Sequence, residues 1–250
     1  MNMADLLVDL AVILAEGGIH HYLKYHLPTT HMPGHVCNSP EYSYPLRSGT
    51  LSGEFLYQVT IGVPIFSFIV FELFTRTSQA GQSKLVECLR QISKYIFGML
   101  LMLIIGQTLK SVTGVPRPYY NTVCKPKCTD GFPYVIADNE DCATTLREAT
   151  RSFPALHASV AFYAMIYFVL YVQVRWTAQK PVTVKPTLQA AAFVFALYAS
   201  CTRITDYKHH TSDVIAGMIL GALTALFVVY SCTDIIRSRN TEEKPKYKKN

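Results

Sequence analysis

The chain has 250 residues, half of them hydrophobic and only 16% charged, with a net charge of +6 and a mean hydropathy of +0.20. This composition excludes an ordinary soluble domain and a disordered chain. It points to a membrane protein, because several uncharged runs of roughly 15 to 20 residues approach the length of a bilayer crossing.

The first expected helix covers 6–23. Asp9 and Glu16 interrupt it, which suits either an interfacial helix or a span with both acids turned into the bundle. The spanning alternative is preferred, since six spans return both termini to one side. The start has no basic n-region and no small-residue cleavage site, so it is not read as a removable signal. Further spans are expected at 55–71, 95–109, 158–174, 187–202 and 214–233. The fold class is therefore all-α, a polytopic membrane protein of six transmembrane helices in one domain over 1–250.

Two long connections, 25–54 and 111–153, are expected to be loops on one face. The second is rich in Pro, Gly, Asp and Cys, as suits an ordered loop closed over a site. The opposite face and the tail after 234 carry 13 of the 23 Lys and Arg residues, so the basic tail 236–250 is assigned to the cytosol. Its charge is read as a topology signal or a contact with anionic headgroups, not as a nucleic-acid patch. Cys37, Cys124, Cys128 and Cys142 then fall outside, where disulfides form, and Cys88, Cys201 and Cys232 fall at or within the cytosolic and membrane regions. Cys124 and Cys128 resemble half of a metal clip without a second pair, so no metal is assigned. Five histidines from His20 to His35 lack ligand spacing and are read as a polar stretch. Gly217 and Gly221 form a Gly-x-x-x-Gly pair that either packs helices within the monomer or joins two copies into a homo-oligomer.

Three polar clusters lie at helix ends: Lys110 to Pro118, Arg151 to His157, and Arg203 to Asp213. In a six-span chain all three boundaries meet at one membrane face, the extracytoplasmic one. Lys110 and Arg117 can converge on one anion, although alone they could be a snorkelling lysine and a loop ion pair. His157 opens a helix, where free N–H groups favour an anion nearby. His209 stands four residues before Asp213, so the carboxylate could share a helix face with the imidazole and fix its tautomer, with Arg203 nearby for an anion.

Lys110-Ser111-Val112-Thr113-Gly114-Val115-Pro116-Arg117-Pro118 resembles the first signature of the lipid phosphate phosphatases, the type 2 phosphatidic acid phosphatases. Arg203, His209 and Asp213 resemble their third signature in residue type and spacing. The resemblance implies metal-independent hydrolysis of phosphate monoesters, without a cofactor, on phosphatidate, lysophosphatidate, sphingosine 1-phosphate or ceramide 1-phosphate. It implies His209 as the nucleophile that becomes a phosphohistidine, oriented by Asp213. His157 would be the acid, and Lys110, Arg117 and Arg203 the groups holding the phosphoryl oxygens. Three fixed cations can serve here where other enzymes use Mg²⁺.

The second signature departs from the family's Ser-Gly-His, because this chain has Ala155-Leu156-His157. Loss of one donor typically costs about 10²- to 10³-fold in rate. A left-handed backbone at Leu156 would cost about 1 to 2 kcal/mol. Those penalties slow an enzyme without abolishing it, and the alternative is a catalytically weak or inactive lipid-phosphate binding protein of the same fold. A transporter is disfavoured, since its ionisable groups would lie near mid-membrane. Thr202 replaces the family's usual Ser, and no N-glycosylation acceptor occurs in the chain. The family implies the plasma membrane with the site extracellular. The terminal Lys246-Tyr247-Lys248-Lys249-Asn250 also resembles a dilysine retrieval signal, which would place the protein in the ER or Golgi with a luminal site.

Overall fold

The structure is a computed structural model that describes residues 3–27, 35–36, 39–75, 83–126, 134–135, 148–176 and 180–232. It is built of helices, as expected: α1 Met3–Tyr25, α2 Gly53–Ile69, α3 Lys84–Thr113, the single turn α4 Tyr120–Cys124, α5 Leu156–Arg175, α6 Val184–Thr205 and α7 Thr211–Cys232. A two-residue antiparallel pairing, His35–Val36 with Tyr134–Val135, ties the two long connections together. Helix α2 runs on as a π-helical turn, Val70–Thr75. Among the described residues, five helices are long and apolar enough to cross a membrane: α2 with its extension, α3, α5, α6 and α7.

Helix α1 has 23 residues and packs on α3. Its half-buried residues Asp9, Ile13, Glu16, His20 and Leu23 form one stripe, so both acids face the bundle. The remainder of its surface is apolar and exposed, as at Leu7, Val8 and Leu14.

The helix ends follow their local sequences. Ser52 caps α2, its side chain accepting from the Phe55 N–H at 3.1 Å. Helix α3 stops at Gly114, which takes the left-handed conformation (φ 56°) and donates its N–H to the Lys110 carbonyl. Asp213 turns back to accept from the His210 N–H at 2.9 Å, closing the first turn of α7.

Helix α5 is the centre of the bundle, with contacts to α2, α3, α6 and α7. Tyr163, Tyr167 and Tyr171 lie along one face of it, buried against Tyr95 and Phe68. Their hydroxyls would be costly in this core without acceptors. Tyr163 donates to the Tyr95 carbonyl at 2.8 Å, and Tyr171 donates to Glu72 at 2.9 Å. Glu72 is itself paired with Arg175 at 2.9 Å, at the end of the bundle remote from the three clusters.

The Gly-x-x-x-Gly pair packs within the monomer. A Cβ at Gly217 would lie 2.4 Å from the Ala155 carbonyl oxygen, and one at Gly221 would lie 2.2 Å from that of Ser159. These glycines let α7 approach the α5 backbone directly. Gly221→Ala is expected to force the helices apart at a cost of about 1–3 kcal/mol. That should appear as a fall of roughly 3–10 °C in the unfolding midpoint of the detergent-solubilised protein. An unchanged midpoint would contradict the packing described.

Cys88, Cys201 and Cys232 are free thiols, and Cys124 is disulfide-bonded. The expectations for Cys37, Cys128, Cys142 and the tail 236–250 lie outside the described residues.

Candidate active site

The three clusters meet at one end of the bundle, where α3 finishes and α5 and α7 begin. Lys110 lies in the last turn of α3 and is buried. Its ammonium donates to the carbonyls of Arg151 at 2.5 Å and Ser152 at 3.3 Å. The start of the first signature thereby holds the backbone that leads into the second.

Arg117 lies beyond the helix. It pairs with Glu148 at 2.7 Å, while its buried Nε has no partner. The Arg117 N–H also donates to the Ala149 carbonyl at 2.7 Å, a second tie between the same segments. Arg151 is buried and donates to the Leu27 carbonyl, which anchors the end of α1 to the site.

His157 is the second residue of α5 and half-buried. The start of α2 comes close to it, since a Cβ at Gly53 would lie 3.7 Å from His157 Nε2. The charges of Arg203, Arg117 and Lys110 all act on His157.

Arg203 sits in the last turn of α6. It bonds Asp206 at 3.1 Å and the Leu51 carbonyl at 3.2 Å, and its buried Nε is unpartnered. Unmatched buried donors are costly, and an arriving anion satisfies them. Asp206 is held in turn by Thr50, through its N–H at 2.7 Å and its hydroxyl at 2.6 Å. The turn that follows places Tyr207 at φ 54°, an uncommon conformation for an aromatic residue. Tyr44 stacks on its ring at 4.5 Å and the Arg47 guanidinium covers it at 4.8 Å. The connection between α1 and α2 is thus fastened to the third cluster at both Asp206 and Tyr207.

His209 is buried just ahead of α7. Burial first, then the charges of Arg117, Lys110 and His157, hold its imidazole well below the ordinary value, so the ring is neutral at pH 7. The pairing with Asp213 differs from the expectation. His209 precedes the helix instead of sharing a face of it, and Nδ1 lies 3.9 Å from Asp213 Oδ2, too far for a hydrogen bond. The Ser152 hydroxyl fills the gap, donating to Asp213 Oδ2 at 2.5 Å and lying 3.3 Å from His209 Nδ1.

A second point concerns Leu156, where a left-handed backbone, open to the family's glycine, would have carried a cost. The only non-glycine residues at positive φ among those described are Lys125 and Tyr207. Leu156 is the first residue of α5, a position that ordinary helical geometry satisfies, and its side chain lies over Gly106 of α3. Ala155 is fully buried in an apolar cluster with Ala158 and Val214, and its N–H donates to the Asp213 carbonyl at 3.0 Å.

The site therefore gathers all eight residues singled out in the sequence: Lys110, Arg117, Ala155, Leu156, His157, Arg203, His209 and Asp213. Sequence reasoning missed Ser152, Asp206 and Thr50. Asp206 had a signal, being an acid three residues beyond an arginine at a helix end. Thr50 had none, because its partner is 156 residues away. Lys208 adds a further cation, 5.3 Å from the Tyr119 ring centre. Burial, followed by the charges of Arg117 and Arg203, lowers its ammonium from the ordinary lysine value.

The chain is similar to known proteins over most of its length. A Drosophila melanogaster protein provisionally named a phosphatidate phosphatase is 28% identical, the alignment covering 92% of this chain and 69% of that protein. Phospholipid phosphatase 1 of Mus musculus is 26% identical over 88% of this chain and 83% of its own length. Phospholipid phosphatase 2 of Homo sapiens is 28% identical over 82% and 75%. No solved structure matches the chain. Residues 91–237, more than half of the length and the whole of the three clusters, match the PAP2 superfamily, and the chain belongs to that family.

Proposed function

We propose that the protein is an integral-membrane phosphatase that hydrolyses lipid phosphate monoesters through a phosphohistidine intermediate, without a metal. The observation that carries this reading is a buried neutral imidazole, His209, within reach of the charges of Lys110 and Arg117 and close in sequence to Arg203. Relatives named phospholipid phosphatases align with most of the chain, which supports lipid phosphatase activity.

His209 Nε2 attacks phosphorus, forming the P–N bond as the bond from phosphorus to the ester oxygen breaks. His157, which takes up a proton as the arriving phosphate dianion offsets the cations around it, gives that proton to the departing alkoxide. Water then attacks phosphorus, the P–N bond breaks, His157 takes the proton of the water, and inorganic phosphate leaves. Lys110, Arg117 and Arg203 stabilise the charge on the phosphoryl oxygens throughout, which is the main demand of phosphoryl transfer.

The substrates are phosphatidate, lysophosphatidate, sphingosine 1-phosphate and ceramide 1-phosphate, whose chains remain in the bilayer while the phosphate enters at the helix ends. The topology has six spans in one domain over 1–250, α1 included. The loops 25–54 and 111–153 and the site are extracellular at the plasma membrane, and the tail 236–250 is cytosolic. Ala155 favours a second reading, a lipid-phosphate binding protein with little turnover, because the hydroxyl of the family's Ser-Gly-His is missing there.

The test is phosphate release from ³²P-labelled lysophosphatidate in detergent micelles containing EDTA, with alkaline quenching of samples. Steady release and a base-stable, acid-labile label on the protein are expected. No release, or release only after a divalent metal is added, would overturn the reading.

A further inference from the structure

We propose that Ser152 is a positioning residue of this site, coupling the Asp213 carboxylate to the His209 ring; the inference rests on His209 being the attacking group. Asp213 Oδ2 does not reach Nδ1, at 3.9 Å, whereas the Ser152 hydroxyl reaches both, at 2.5 Å from Oδ2 and 3.3 Å from Nδ1. A hydroxyl that donates to a carboxylate keeps its lone pairs free to accept from Nδ1–H. The order Nδ1–H to Oγ–H to carboxylate fixes the proton on Nδ1 and leaves the Nε2 lone pair for phosphorus. All three side chains are buried, at 0%, 3% and 1% exposure for Ser152, His209 and Asp213.

Ser152 is itself held in place. Its N–H donates to the Val115 carbonyl at 2.8 Å, and its carbonyl accepts from the Lys110 ammonium at 3.3 Å and faces the His209 ring. The first signature thereby sets the position of a hydroxyl that orients the third. Without it, His209 keeps the contact with the Ser152 carbonyl, and Asp213 Oδ2 keeps the His210 N–H at 2.9 Å, but the two are no longer joined.

The test measures kcat and KM for lysophosphatidate between pH 5 and 8 with the full-length protein. The set is the parent, Ser152→Ala, Asp213→Asn and their double variant, with Ser152→Thr and Ser152→Val as a pair of equal shape that differs by the hydroxyl. Ser152→Ala is expected to lower kcat about tenfold with little change in KM, the scale of one orienting hydrogen bond. Its acid limb should move to lower pH, because the carboxylate no longer favours the protonated ring. The double variant should be no slower than Asp213→Asn alone, and Thr should exceed Val by about tenfold. The Thr and Val pair carries the test if the alanine variant does not fold.

Parent-like turnover by Ser152→Ala or Ser152→Val, a loss confined to KM, or losses that multiply in full with Asp213→Asn would overturn the inference. If the parent releases no phosphate, the phosphatase reading falls first and this inference falls with it.

Discussion

His209→Ala is expected to reduce phosphate release by on the order of 10⁴-fold or more, the scale on which removal of a nucleophile acts in enzymes that form covalent intermediates. Among the described residues, neither neighbouring histidine is placed to take over the attack. His210 points elsewhere, its Nε2 lying 3.1 Å from the Pro116 carbonyl and its ring packed edge-on against Tyr42 at 5.4 Å. His157 stands at the start of α5, in the place proposed for protonating the leaving group. The cations do not depend on the imidazole, so the variant should still bind lysophosphatidate while forming no labelled phosphoprotein. Single-turnover assays with alkaline quenching, together with lipid binding measured on the same preparation, make the check. Retained turnover above about one hundredth of the parent rate would remove His209 from the mechanism.

Leu156→Gly should destabilise the fold by about 2–5 kcal/mol, as large-to-small changes in packed interiors do. The reason lies across the bundle. A Cβ at Gly106 would come within 2.2 Å of Leu156 Cδ2, so the leucine fills the space that the glycine leaves on α3. Gly106→Ala alone should also destabilise, by overpacking of about 1–3 kcal/mol. In the Leu156→Gly background the same change should recover stability, since the added methyl enters the vacated space. Unfolding midpoints of the two single variants and the double variant form a cycle whose coupling is expected to exceed about 1 kcal/mol. Simple additivity would mean that the two residues are independent.

Restoring the family's Ser-Gly-His in this chain is therefore not a route to higher activity. The serine hydroxyl would enter an apolar cluster with Ala158 and Val214, and the glycine would leave a void beside α3. Ala155→Ser by itself is the cleaner variant for asking what the missing hydroxyl is worth.

Much of the fold was legible because bilayer crossing imposes one strong rule on composition, and the runs at 55–71, 95–109, 158–174 and 187–202, with the last run as far as Cys232, lie on long apolar helices. The site was legible where it depended on spacing within short segments, as in Lys110 to Arg117 and Arg203 to Asp213. What escaped were relations between distant segments. The gap between His209 and Asp213 arises from where α7 starts, and Ser152 fills it from 57 residues away in the chain. The backbone strain assigned to Leu156 was carried over from a glycine in the family's pattern. Only the position at the start of a helix, with Gly106 opposite, shows that this chain uses a different local solution.

The fastening of Thr50 to Asp206 means that the candidate site extends beyond the segment that matches the family. Every signature side chain lies within 91–237, yet the hydroxyl and amide that brace Asp206, and through it Arg203, come from residue 50. A fragment cut to that segment would carry all the chemical groups and lack a brace for one of its cations. Swapping residues 39–52 between relatives would, by the same reasoning, change what holds Arg203 without altering one signature residue.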